Sequence, residues 1–171
     1  MGSDIFKVPT KNYNIMKRFL LLTSFLLTLF SCSNELEFSD QVFQVTKDGK
    51  FWQASEFGVS INEDGFLSMV SVLNDEIITL NLESAGPGVY DLTAGSNSTA
   101  WFKDSNSKGY TSEYLGDGQV VIEKYDPLEQ TFSGTFRFNA FSSDGDTVNF
   151  YNGVFYRVPM ASDSEPDAPS E

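Results

Sequence analysis

Between Gln41 and Pro159 apolar and polar residues alternate in short runs, with β-branched and aromatic side chains between turn signals. The dominant period is two, and no stretch carries a sustained 3.6-residue repeat, so the pattern predicts strand after strand and no helix. Thr131 to Ser142 is the cleanest case: Phe132, Phe136, Phe138 and Ala140 share one face, and Ser133, Thr135, Arg137 and Asn139 the other. Gly134 falls on the inner row, where a bulge or a close crossing of backbone is expected. Ile77 to Glu83 places Ile78, Leu80 and Leu82 on one face and Thr79, Asn81 and Glu83 on the other, as a sheet with one wet face requires. In the last strand, Thr147 to Val158, the alternation breaks at Asn152-Gly153, which predicts a bulge that resets the inward face.

Asp-Gly recurs four times, at Asp48-Gly49, Asp64-Gly65, Asp117-Gly118 and Asp144-Gly145, each between apolar runs. Positive φ angles are cheap there, so each predicts a tight hairpin. Val42–Thr46 then pairs with Phe51–Ser55, and Val59–Asn62 with Phe66–Leu73. Tyr110–Tyr114 is expected to turn through Gly116-Asp117-Gly118 into Gln119–Tyr125. Ala94–Thr99 and Asp104–Gly109 read as loops around Ala100–Lys103. The sum is an all-β domain over residues 41–159, an antiparallel β-sandwich or flattened barrel of about ten short strands. Residues 160–171 are acidic and rich in Ser, Pro and Ala, and read as a disordered tail.

The pattern in front of the domain is of another kind. Lys17 and Arg18 precede an unbroken run, Phe19 to Phe30, in which only Thr and Ser interrupt apolar residues. As a helix it would span roughly 18 Å, short of a hydrocarbon core of about 30 Å, which fits a secretory signal peptide better than a permanent span. Leu29-Phe30-Ser31-Cys32 resembles the lipobox of bacterial lipoproteins, although Phe30 is bulkier than that pattern prefers. The resemblance implies a diacylglycerol on the Cys32 thiol and cleavage just before it. Residues 1–31 are then a cleaved lipoprotein signal peptide, with translation starting at Met1 or, for a more compact leader, at Met16. Residues 32–40 are a lipidated cysteine and tether, and the membrane becomes a partner through the lipid anchor. Two or more acyl chains turn marginal membrane binding into stable attachment.

Charge narrows the partners. The chain has 11 basic and 24 acidic side chains. Loss of residues 1–31 removes Asp4, Lys7, Lys11, Lys17 and Arg18 and leaves 7 basic and 23 acidic, net −16. Such a surface repels phosphate backbones, so no nucleic acid is expected as partner. There is no histidine, and Cys32 is the single cysteine. Ser-His-Asp and Cys-His catalysis and the usual His/Cys metal sites are thereby excluded. Carboxylate chemistry and oxygen-only metal binding survive.

Gly49–Ala54 (GKFWQA), Gly88–Leu92 (GVYDL), Gly118–Ile122 (GQVVI), Ser133–Phe138 (SGTFRF) and Asn152–Phe155 (NGVF) follow one another in an order that resembles a group of small Bacteroidota lipoproteins. That group is the domain-of-unknown-function family numbered 6252, and the resemblance runs from about Phe43 to Pro159. It implies a β-rich, lipid-anchored domain and brings no catalytic residue with it.

Three candidate sites remain. Trp101, Phe102, Tyr110 and Tyr114 cluster in the loop-rich middle, with Tyr151 facing outward on the last strand. Exposed rings beside Asn, Asp and Ser can stack on sugar faces or anchor a protein partner. The more economical reading is that they close the open end of a small sandwich. Asp104, with Ser105, Asn106 and Ser107, and the pair Asp144 and Asp146 offer oxygens to calcium, but six to eight must converge, and turn geometry alone accounts for Asp-Gly. No metal or other cofactor is therefore expected. Glu113, Asp117 and Glu123 could supply two acids about 5–9 Å apart for glycoside hydrolysis, although any acidic chain offers such sets by chance. The sequence thus points to a lipid-anchored domain of the cell envelope, at the outer membrane, that binds or scaffolds and does not catalyse. An envelope protein or a glycan is the expected partner, with a carbohydrate-binding or calcium-dependent module as the alternative and a carboxylate-based glycan hydrolase behind it.

Overall fold

The computed structural model describes residues 41–161, so the expectations for the leader, for Cys32 and for residues 162–171 lie outside the described residues. Eleven strands follow in order: β1 (Val42–Lys47), β2 (Lys50–Gln53), β3 (Glu56–Ile61), β4 (Leu67–Leu73), β5 (Glu76–Leu82), β6 (Gly88–Asp91), β7 (Thr99–Lys103), β8 (Gly109–Thr111), β9 (Asp117–Asp126), β10 (Thr131–Phe141) and β11 (Thr147–Pro159). They form one antiparallel sheet in the order β2-β1-β11-β10-β8-β7-β5-β4-β3, with β9 also on β10 and β6 on β9. The all-β antiparallel fold is as expected, in the form of a curled sheet. The main path ends at β2 and β3, which are consecutive in the chain, and the branch through β9 ends at β6. β3 also returns to the end of β11, where Val59 bridges Met160 and the N–H of Ala161 donates to the carbonyl of Val59 at 2.7 Å.

The core lies inside the curl and is built from the alternation. On β10, Phe132, Gly134, Phe136, Phe138 and Ala140 point in, as do Ile78, Leu80 and Leu82 on β5. Phe138 lies against Phe150 with ring centroids 4.3 Å apart, Phe102 against Phe150 at 5.1 Å, and Phe43 against Phe136 at 4.9 Å. A fully buried Phe contributes about 1.5–3 kcal/mol, so the aromatic centre stabilises the domain without a disulfide.

Turn chemistry places several of the strands. Asp48 and Gly49 both have positive φ, 47° and 81°, and make the two-residue loop between Lys47 and Lys50. This is the primed turn that matches strand twist. The Asn152 bulge is also present: Thr46 pairs with Tyr151 but Gln44 with Val154, and inward positions shift from Val148 and Phe150 to Gly153 and Phe155. At Gly134 backbone crosses closely; a Cβ there would sit 2.6 Å from the Phe155 ring and against the Val121 carbonyl.

Asp117-Gly118 corrects an expectation. It opens β9 instead of turning a hairpin, and Gly118 is buried opposite Phe138. Any Cβ there would meet the carbonyl of Arg137 at 2.5 Å. Close strand packing, not turn geometry, is what calls for that glycine. The chain reverses earlier, at Ser112–Gly116, where the Gly116 N–H donates to the Ser112 carbonyl at 3.1 Å. Met160 and Ala161, assigned from sequence to the tail, belong to the seam between β3 and β11.

Candidate functional site

β10 changes partner along its length. From Thr131 to Asn139 it pairs with β9, while Phe141 pairs with Thr111 of β8. The turn at 112–116 spans this gap and carries Tyr114 and Leu115 outward, 71% and 76% exposed. It is anchored by Ser112, which is buried: its Oγ accepts from the Ala100 N–H at 2.9 Å, and its own N–H donates to the Ala100 carbonyl. Beside the turn a groove of about 410 Å³ opens on the outer face. Trp101, Thr111, Tyr114, Phe141, Ser142 and Ser143 are among the residues that line it. None of the lining side chains is an acid, a lysine or an arginine.

Strand alternation decides which of the predicted aromatics can meet a ligand. Trp101 sits between the inward Ala100 and Phe102 on β7 and is 43% exposed. Phe102 is buried instead, packed on Phe150 and 5.8 Å from the Tyr110 ring. It is a core residue, because neighbours on a strand face opposite sides. Tyr110 is half-buried and joins the groove at its edge. Tyr151 lies elsewhere, on β11 beside Thr46, whose other neighbour is the exposed Phe51 on β2. The structure thus brings Trp101 and Tyr114 to the groove, leaves Tyr110 at its edge paired with the inward Phe102, and places Tyr151 elsewhere. Thr111, Leu115, Phe141 and the two serines went unnoticed in the sequence. The outward phase of Phe141 in the β10 alternation was the signal available.

The aspartates among the acidic candidates are otherwise engaged. Asp144 and Asp146 hold the Lys108 ammonium at 3.1 and 2.5 Å. Hydrogen bonds to Asp146 and then Asp144 push the lysine well above its ordinary value, so its charge fills the position a cation would take. The Asp104 carboxylate accepts from the N–H groups of Asn106 and Lys108 at 2.9 and 2.8 Å, tying its own turn. Among the described residues no group of three or more His, Cys, Asp and Glu side chains is arranged to hold a metal ion. Asp117 accepts from the Asn139 amide, whereas Glu123 lies six residues further along the same strand, roughly 20 Å away at strand rise. Asp117 and Glu123 are therefore too far apart to act as a pair. Glu113 sits in the turn before β9.

Comparison with known proteins adds the family. Residues 39–159 match the family model described as Domain of unknown function (DUF6252). The chain belongs to that family. The DUF6252 match takes in all eleven strands and the whole groove, and it stops at Pro159, the last residue of β11. No curated protein and no solved structure matches this DUF6252 chain.

Proposed function

We propose that the DUF6252 domain is a non-catalytic binding module, held at the outer membrane by lipid on Cys32, and that it takes its ligand in the groove beside Trp101. One observation carries the reading. In a chain with 24 acidic side chains, two large rings stand exposed over a groove lined only by aromatic, aliphatic and hydroxyl groups. Exposed aromatics ringed by polar groups are the composition of binding surfaces, where a few rings carry most of the affinity. The separation of Asp117 from Glu123 and the absence of histidine favour binding over turnover. The lipobox-like Leu29–Cys32 supports the anchor.

Oxidative footprinting on intact cells tests both halves together. Trp101 and Tyr114 should be modified less in cells than in the purified chain, while Tyr151 is modified equally in both. In a Cys32→Ala strain the protein should leave the membrane fraction and the protection of Trp101 should fall. Equal modification of Trp101 in cells and in purified protein would refute the groove as the binding site. Membrane retention of Cys32→Ala would refute the anchor.

A further inference from the structure

The groove is one end of a longer feature. Gly58, Val70, Thr79, Trp101, Thr111 and Phe141 stand in direct register, one each from β3, β4, β5, β7, β8 and β10. Their neighbours Val59, Met69, Leu80, Ala100 and Phe102 are buried, so this row faces outward. A second row beside it, Ser60, Ser68, Asn81 and Thr99, is entirely hydroxyl and amide. Ser68 donates to the Asn81 side-chain oxygen at 2.9 Å, which fixes the amide with its NH₂ turned away from that bond. At the far end a second hollow of about 310 Å³ lies over Gly58, Val70 and Val72, with Glu56 the one ionised group on its lining. Six strands at about 4.8 Å spacing make the track roughly 24 Å long.

Resting on the binding reading of the groove, we infer that the ligand is an uncharged polysaccharide chain lying across the strands along this track. Three features select it. A track of this length suits an extended polymer better than a compact molecule. Alternating apolar and hydroxyl positions match sugar rings, whose flat C–H faces stack on indole and phenol while their edges exchange hydrogen bonds with Ser, Thr and Asn. The net negative charge of the chain repels polyanions, and neither row of the track itself carries a cation, although Lys103 stands on the same face two residues from Trp101.

The test is electrophoresis of the full chain, in detergent, through gels containing hydroxyethyl cellulose, xyloglucan, galactomannan or yeast mannan, with polygalacturonate and alginate as anionic comparators. At least one neutral polymer should retard the chain, and both anionic ones should leave it unretarded. Trp101→Ala should weaken retardation at least about tenfold with an unchanged circular dichroism spectrum. Val70→Glu, at the remote hollow, should weaken binding of the polymer but not of a trisaccharide of the same sugar. Retardation by no neutral polymer, equal retardation by a polyanion, or retardation that survives Trp101→Ala would overturn the inference. If Trp101 is still protected in cells while all neutral polymers fail, the glycan is wrong and the binding face stands, with a protein partner indicated. Loss of both removes the two readings together.

Discussion

The Asp126 carboxylate accepts from Lys124 Nζ at 2.9 Å and from the backbone N–H groups of Leu128 and Glu129 at 3.1 and 3.4 Å. The lysine first, then the two N–H groups, favour the ionised form and hold the carboxyl below the ordinary aspartate value of 3.8. A group depressed in the folded state adds stability that is present above its unfolded value and is lost as pH falls through the folded one. Asp126→Asn should therefore lower the urea midpoint slightly at neutral pH, and the gap to the wild type should close in acid. A gap of the same size on both sides would mean that the side-chain amide, not the charge, is at fault. Residue-scale roles such as this turn were partly legible in the sequence. Gly134 was, since a glycine on an otherwise bulky inner row marks a place where backbone comes too close for a Cβ. Asp117-Gly118 was not, because the same dipeptide serves a primed turn in one place and a tight strand crossing in another.

At the scale of elements, alternation revealed which residues of β5, β10 and β11 face inward, down to the bulge at Asn152. What it could not reveal is which strands meet without being neighbours in sequence. Glu76 at the start of β5 binds Lys47 at the end of β1 and accepts from Trp52 Nε1 on β2 at 2.7 Å. The Lys47 ammonium also lies 4.9 Å from the centroid of the Phe102 ring. β5 pairs with neither β1 nor β2, so these bonds fasten two distant parts of the curled sheet. With both charged side chains only 20% exposed, removing one partner leaves the other desolvated. Glu76→Ala should cost about 1–3 kcal/mol in chemical denaturation, because it strands both an ammonium and an indole N–H. Lys47→Met combined with Glu76→Ala should recover part of that loss. Additive costs would show that the two residues act independently. The groove was legible only in part for the same reason. Trp101 and Tyr114 were visible as aromatics, but the change of partner along β10 that brings them together is a long-range pairing.

At the scale of the molecule, the curl decides how the β3 edge of an eleven-stranded sheet is covered. An unpaired edge invites pairing with other chains. β2 runs directly into β3, and β3 is covered in turn by the end of β11 through Met160 and Ala161. Met160 also packs against the core, with its sulfur 4.0 Å from the Tyr125 hydroxyl. The closure keeps β3 in register with β4, and through β4 and β5 it sets the alignment of Val70, Thr79 and Trp101 on the outer face. Ending the chain after Pro159 should therefore open the seam without unfolding the core. The expected cost is about 2–4 kcal/mol, from two backbone hydrogen bonds (Met160 N–H to the Gln130 carbonyl and Ala161 N–H to the Val59 carbonyl) and one half-buried methionine. Hydrogen–deuterium exchange should quicken in β3 and stay slow in β10, whose strand lies between β9 and β11. Unchanged exchange in β3 would mean that pairing with β4 alone fixes that strand, and that the two residues past Pro159 have no part in shaping the outer face.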